Sequence, residues 1–392
     1  MGTTLSLLLH AVWAIPGVLI IRCLRPWRTI RLGTFSYSRI GHFVADVGHQ
    51  WSARRQRSVH TIDLYWLPTT TCNTFWETMV RRNFPVHAWV HPLYRWNRII
   101  PGGAVHDRPS STTGSRDIHG LLEKGSNTLP FLPEEDERGK AWLRQQGWRD
   151  GEPFVCLLVR DSAFLKADTL NDRRDWNYHS YRDSDIDAYV PAVEWLAEQD
   201  VWVLRMGKIA AKPIPIRHPR VVDYAFHPDR SDFLDIWLFA HCRLCISTGC
   251  GPDMVSDVYR RPLLLVNFLP LKYMFSWSQA THIPKTLIWK RTGLPLTWRE
   301  HICHSYLETE QYDRAGIKMI DLTPEELRAS FQETWQRLEG SLVETDADRL
   351  RNRRFWDILR SYCDFEDLHG WIHPESRAGS VWLRSQGEAF LS

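Results

Sequence analysis

The chain has 392 residues, 43% hydrophobic and 24% charged, an ordinary globular composition spread over more chain than one core serves, so two domains are expected. Forty-nine Lys and Arg against 46 Asp and Glu leave a net charge of +3, which excludes the whole-chain basic field that coats nucleic acid. Eight cysteines in a chain of this length make no disulfide framework and fit a reducing compartment.

Residues 5–21 (LSLLLHAVWAIPGVLII) are apolar apart from Ser6 and His10, and Arg22, Arg25, Arg28 and Arg31 follow. At 17 residues the run sits at the lower limit for a spanning helix, Pro16 interrupts it, and its basic residues come after it, which argues against a cleaved signal peptide. Two readings remain: a short anchor or in-plane helix whose arginines meet anionic headgroups, and a hydrophobic helix buried on the first domain. Peripheral or monotopic attachment is the favoured expectation.

An alternating pattern follows, with strands expected at 29–33, 59–66 and 86–90 and helices at 39–50 and 73–82. Residues 101–133, with GG, PSSTTGS and KGSN, read as loops, and 134–146 as an exposed helix ended by Gly147. Beyond a linker near 150–153, continuous apolar runs at 155–159, 201–206, 221–225, 244–247 and 263–268 read as buried parallel strands. Helices are expected between them at 186–199, 232–241 and 252–259, with Ser184 and Ser231 as N-caps and Pro252 at a first helical position. Two more, at 324–338 and 347–363, end the chain. Ligands of such a doubly wound sheet bind beyond the carboxyl ends of its strands, here residues 160–166, 207–212, 226–231 and 248–251.

On that edge, Ser247-Thr248-Gly249-Cys250-Gly251 joins a buried strand to a helix. Glycines let backbone N–H groups approach an anion there, so the turn reads as a diphosphate cradle, though strand–glycine–helix turns are also common where nothing binds. It is neither a dinucleotide fingerprint nor a Walker loop. Arg160, with Asp161 and Ser162, ends the strand FVCLLV and offers a planar clamp for phosphate oxygens; Lys208 is a second cation on the same edge. The stretch His179-Ser180-Tyr181-Arg182-Asp183-Ser184-Asp185 contains a DxD, which binds a metal in some sugar transferases, but its position before a helix makes capping the preferred job. His301 and His304 lack a zinc spacing, and no metal is expected. In the first half Arg39 and His42 open a helix; His42 is the candidate base for an acceptor hydroxyl, with Asp46 one turn on, while a structural histidine is the competing reading.

Taken together, RIGHF (residues 39–43), FVCLLVRDSAFL (154–165), YHSYRDSDID (178–187), VLRMGK (203–208), VVDYAF (221–226), SDFLDIWLFAHCRLCISTGCG (231–251) and PLLLVNFLPL (262–271) resemble a family of bacterial glycosyltransferases associated with surface-carbohydrate synthesis. The resemblance implies an α/β fold of the GT-B-like kind: two doubly wound Rossmann-like domains, C-terminal crossing helices and an N-terminal apolar helix. The corresponding ranges are 1–27 for the membrane-associated helix, 28–150 for the acceptor domain, 151–323 for the nucleotide-sugar domain and 324–392 for helices packing back on the first domain. VRDS is similar to the strand-end arginine segment of fucosyltransferase-like enzymes, which contacts donor phosphate; Cys250 departs from the family's small residue between the glycines. The resemblance further implies a nucleotide sugar as substrate with no separate cofactor, a glycan or lipid-linked acceptor, and a place on the cytoplasmic face of the inner membrane. A sugar-nucleotide epimerase of the same fold, or a non-catalytic nucleotide- or glycan-binding partner, are the alternatives.

Overall fold

The computed structural model describes residues 2–54, 58–110, 114–125, 128–161, 163 and 177–392, without the side chains of 2–6 and 177–179. Its chain divides into two compact units, one of Met1–Ser115 with Leu121–Phe131 and one of Arg116–Gly120 with Leu132–Ser392.

The first unit holds a three-stranded parallel sheet in the order β2-β1-β3, with β1 at Thr29–Thr34, β2 at Thr61–Trp66 and β3 at Asp107–Arg108. This is smaller than the doubly wound sheet expected for the first half. The helix Ile40–Ala53 buries Phe43, Val44 and Val47, and Phe35 stacks on Tyr65 at 4.5 Å in the same core. The expected strand at 86–90 reduces to a single bridge between Tyr65 and Val86; the chain then turns into a helix, Val90–Ile99. Val90, Leu93, Tyr94 and Asn97 recur at helical spacing and are all buried, and Pro92 falls in the first turn, where the missing N–H has no intrahelical partner to lose.

The N-terminal helix Gly2–Cys23 lays Ala14, Val18 and Ile21 against Leu32, Val90, Leu93 and Tyr94. Gly17 permits this approach, since a Cβ there would meet Leu93 Cδ2 at 2.7 Å. Among the described residues no helix is long and apolar enough to cross a membrane. Two of the four following arginines, expected at headgroups, are engaged inside the unit. Arg22 donates to the carbonyls of Asn97, Ile100 and Pro101 at 3.1, 2.9 and 2.6 Å, closing the end of the 90–99 helix, and Arg31 pairs bidentately with Asp63 on β2 at 2.6 and 3.0 Å.

The second unit is built on a seven-stranded, wholly parallel sheet in the order β12-β9-β8-β7-β4-β5-β6. Its strands are β4 Phe154–Leu158, β5 Trp202–Arg205, β6 Val221–Val222, β7 Leu244–Ser247, β8 Leu263–Val266, β9 Ala280–Ile283 and β12 Arg377–Ala378. β10 (Thr286–Trp289) and β11 (Ile317–Ile320) form a separate antiparallel pair. β4, β5, β7 and β8 are buried along their whole length, hence their continuous apolar runs. The helix Pro133–Gln145 belongs here and not to the first unit: its Gly139 faces Trp237, whose ring carbons a Cβ would meet at 2.2 Å, and its Asp136 accepts from Trp237 Nε1 at 3.0 Å. The C-terminal helices Pro324–Leu338 and Asp346–Arg360 also lie in this unit, the first against the helix Val190–Glu198.

A five-residue excursion of the chain, Arg116–Gly120, is bedded in the second unit. The buried Arg116 guanidinium donates to the carbonyls of Tyr273 and Met274, both at 3.1 Å, and to that of Leu368, and lies over the Trp277 ring; burial pushes its pKa down to about 10.

Candidate functional site

In the order just given, connections run outward in both directions from β4 and β7, so the topological switch point lies between their carboxyl ends. Val159-Arg160-Asp161 leaves one strand there and Thr248-Gly249-Cys250-Gly251 the other. The two ends are tied together: Thr248 N donates to Leu158 O at 3.2 Å and Arg160 N to the buried Thr248 Oγ1 at 3.1 Å. The expected strand-end arginine and glycine turn therefore meet.

The turn itself differs from the expected cradle. Ser247 Oγ accepts from Gly249 N at 3.0 Å and donates to the buried Asp253 carboxylate at 2.8 Å, and Cys250 N also donates to Asp253, at 2.8 Å. Two backbone N–H groups assigned to a diphosphate are thus turned inward, and the helix behind them, Asp253–Val258, is only six residues long. Gly249, at φ +79°, packs so closely on Phe268 that a Cβ would meet its ring at 2.4 Å, which gives the glycine a steric reason of its own. Burial pushes the Asp253 carboxyl up to about 7, against the pull of Ser247 and Arg182, and likewise raises the Cys250 thiol, keeping it protonated.

The capacity for anions lies in guanidinium groups around this turn. Arg160, 14% exposed at its side chain, donates Nε to Asp183 at 3.2 Å, and its Nη2 is buried with no hydrogen-bond partner among the described residues. Arg182 donates Nη2 to Gly249 O, joining the 180s segment to the turn, and its Nε is likewise buried without a partner. Sequence reasoning gave Arg160 as the phosphate clamp and Arg182 only as a further cleft candidate. It missed Arg205, whose signal was a lone cation inside the apolar strand VWVLRM. Its side chain is 1% exposed; Nη1 lies 3.6 Å from Asp223 and Nη2 3.9 Å from Asp161, and among the described residues Nε has no hydrogen-bond partner. A buried donor without an acceptor costs about 1–3 kcal/mol; three arginines at one strand edge, each carrying one such atom, suit an arriving polyanion.

A cavity of about 240 Å³ opens on the same edge, lined by Val159, Asp161, Ser184, Arg205 and Lys212 among others. The two carboxylates of the DxD face different cations, Asp183 toward Arg160 and Asp185 toward Lys212 at 2.7 Å; Asp185 also caps the following turn by accepting from Asp187 N, the job expected of Ser184. Burial raises the Asp183 carboxyl against the opposing pull of Arg160. Lys208 is exposed and 3.9 Å from Asp232. Asp161 accepts from Ala163 N and Ala211 N at 2.9 and 2.8 Å, which positions the loops after β4 and β5. Ser162 and the His179 side chain lie outside the described residues.

In the first unit, His42 stands on the exposed side of its helix, with Nδ1 2.7 Å from Ser115 Oγ. Partial desolvation, then repulsion from the exposed Arg39, holds its pKa below the ordinary histidine value, so the ring is neutral near pH 7 and able to accept a proton. Asp46 has no such freedom: it is buried and accepts from Ser36 N at 3.0 Å and Gln50 Nε2 at 2.8 Å, a bracing role in place of the expected catalytic one.

No family model matches the sequence, and no curated protein sequence matches it. Solved structures similar to the chain include a glycosyl transferase of family 9 from Veillonella parvula, at TM-score 0.43 and 9% identity over 66% of this chain and 86% of that one. Another is the ADP-heptose LPS heptosyltransferase II of E. coli, at TM-score 0.45 and 12% identity over 79% and 99%. Both neighbours are glycosyltransferases; at these scores neither assigns a residue a role.

Proposed function

We propose that the chain is a glycosyltransferase of GT-B-like architecture that moves a sugar from a nucleotide-sugar donor to a glycan or lipid-linked acceptor in bacterial surface-carbohydrate synthesis, at the cytoplasmic face of the inner membrane. The observation that carries this reading is the set of buried, unpartnered guanidinium N–H groups of Arg160, Arg182 and Arg205 around the switch point of the parallel sheet. Fixed cations at that edge meet a diphosphate where charge accumulates as the bond from its oxygen to the sugar's anomeric carbon breaks. Arg160 and Arg182 take the diphosphate oxygens beside Thr248–Gly251, and Lys208 serves as an outer cation that draws the donor in. Arg205, next to the cavity, is available to the rest of the donor.

The leaving diphosphate keeps the electron pair of the broken bond, the acceptor oxygen forms the new one, and the acceptor's proton passes to neutral His42. Asp183 and Asp185 are occupied by Arg160 and Lys212, so in this reading guanidinium groups supply the positive charge that a metal supplies elsewhere. The test is a panel of nucleotide sugars incubated with and without glycan and lipid-linked acceptors. Acceptor-dependent release of a nucleoside diphosphate is the expected result; donor isomerisation without an acceptor, or binding without turnover, overturns it.

A further inference from the structure

The N-terminal helix is apolar all round, and only half of that surface is used. Ala14, Val18 and Ile21 are buried in the unit, while the opposite face leaves Leu9 70%, Val12 83%, Leu19 51% and Ile20 60% exposed, continued by Trp27 at 69%. Positions 9, 12, 16, 19/20 and 23/24 fall on one stripe by helical spacing, and between residues 8 and 24 the exposed side of the helix presents no charged side chain. An uninterrupted apolar stripe of this length marks an interaction surface.

The charge around the stripe selects the occupant. From Met1 to Ala45 there is no Asp or Glu, against five arginines at 22, 25, 28, 31 and 39. Arg22 and Arg31 are engaged internally, whereas Arg25 is exposed at the end of the stripe, as is Arg28, which among the described residues bonds only a backbone carbonyl, that of Val59. An apolar face bordered by exposed arginines and a tryptophan, with no acidic side chain near it in sequence, complements an anionic lipid surface.

We propose that this face is the protein's membrane-docking surface. The helix lies in the plane of an anionic bilayer, its exposed stripe in the headgroup–acyl boundary and Arg25 and Arg28 among the headgroups. The packed face fixes the orientation: Ala14, Val18, Ile21 and the Gly17–Leu93 contact hold the helix along the unit, so standing upright to span would strip a buried core. The inference rests only on the peripheral-membrane part of the proposed function and needs neither donor nor acceptor.

The full-length chain is mixed with sedimentable vesicles of phosphatidylglycerol and phosphatidylethanolamine, or of phosphatidylcholine alone, and the bound fraction is measured beside the oligomeric state in solution. Binding to the anionic vesicles, at least tenfold weaker to phosphatidylcholine, is expected. Val12→Glu with Ile20→Glu removes it, and Arg25→Glu weakens it severalfold; because these side chains face outward, all keep the parent's melting temperature and nucleoside diphosphate affinity. Should the glutamates upset folding, Leu9→Ser with Val12→Ser gives the same reading with a smaller change. Vesicle binding that survives both pairs of substitutions refutes the proposal, as does a dimer that the substitutions dissociate while lipid binding stays unchanged. Loss of transfer activity with lipid binding intact would count against the enzymatic reading alone.

Discussion

Replacing Arg160 with alanine separates a ligand-binding role from a structural one, because the two predict opposite balances of affinity and stability. Among the described residues the guanidinium makes one charge-assisted bond, Nε to Asp183 at 3.2 Å, a contribution of about 1.5–3 kcal/mol. It also buries Nη2 without an acceptor, which costs about 1–3 kcal/mol. Truncation removes both, and Asp183, whose carboxyl burial already raises, can take up a proton once its partner is gone. The net change in stability is therefore within about 1 kcal/mol, a shift in melting temperature of about 2 °C for a unit of this size. Binding of a nucleoside diphosphate should suffer far more, since a lost charge-assisted contact of about 1.5–3 kcal/mol is roughly ten- to a hundredfold in Kd. Arg160→Lys should restore only part of it, a point charge being no substitute for a planar fork. Calorimetry with UDP, GDP and ADP, run beside thermal melts, reads both quantities. If Arg160→Ala and Arg182→Ala bind all three as the parent does while melting several degrees lower, the arginines are structural and the donor site is elsewhere.

Gly249→Ala should fail through the fold: a Cβ at φ +79°, 2.4 Å from the Phe268 ring, should cost about 2–4 kcal/mol of stability in thermal melts, with nucleotide affinity retained in the folded fraction. Asp253 titrates near 7 when folded and near its ordinary acidic value when unfolded, so the folded state binds the extra proton and stability should fall as pH rises from about 4 through 7, by a few kcal/mol at most. Asp253→Asn should flatten that slope in denaturant titrations across the window; an unchanged slope refutes the assignment. His42→Gln should lower kcat by about 10²–10⁴-fold with nucleoside diphosphate affinity unchanged. In the parent, the acidic limb of the rate profile should have its midpoint below the ordinary histidine pKa, since desolvation and Arg39 favour the neutral ring.

The second unit was legible where burial writes a continuous pattern. LLLV, LCIS and FVCLL are strands because both faces of a parallel sheet are covered, and the helices at Asp232–His241 and Pro324–Leu338 have the bounds their patterns imply. Short edge strands such as Arg377–Ala378 carry too few residues for any period to register. The helix at Val90–Ile99 was hidden by Pro92 and by the β-branched Val86 and Val90, which read as strand until the N-terminal helix supplies their packing partner. At the site, Arg160 and the glycine turn follow from strand ends alone. The inward bonding of the turn does not, because nothing in the order Ser247 to Asp253 says that both side chains fold back under their own backbone. Arg205 was overlooked for the opposite reason, its apolar neighbours concealing a buried charge.

The excursion at Arg116–Gly120 bears on how the gene could be dissected. A fragment starting at Leu132 would contain all the strands of the seven-stranded sheet yet lack the arginine that serves the carbonyls of Tyr273, Met274 and Leu368. It would also lack the backbone on which Gly370 rests, where a Cβ would meet Ile118 O at 2.5 Å. The complementary fragment, ending at Phe131, would carry Arg116 without the three carbonyls it serves. Because the polypeptide crosses between the units at 115/116, 120/121 and 131/132, no single cut yields two intact folding units.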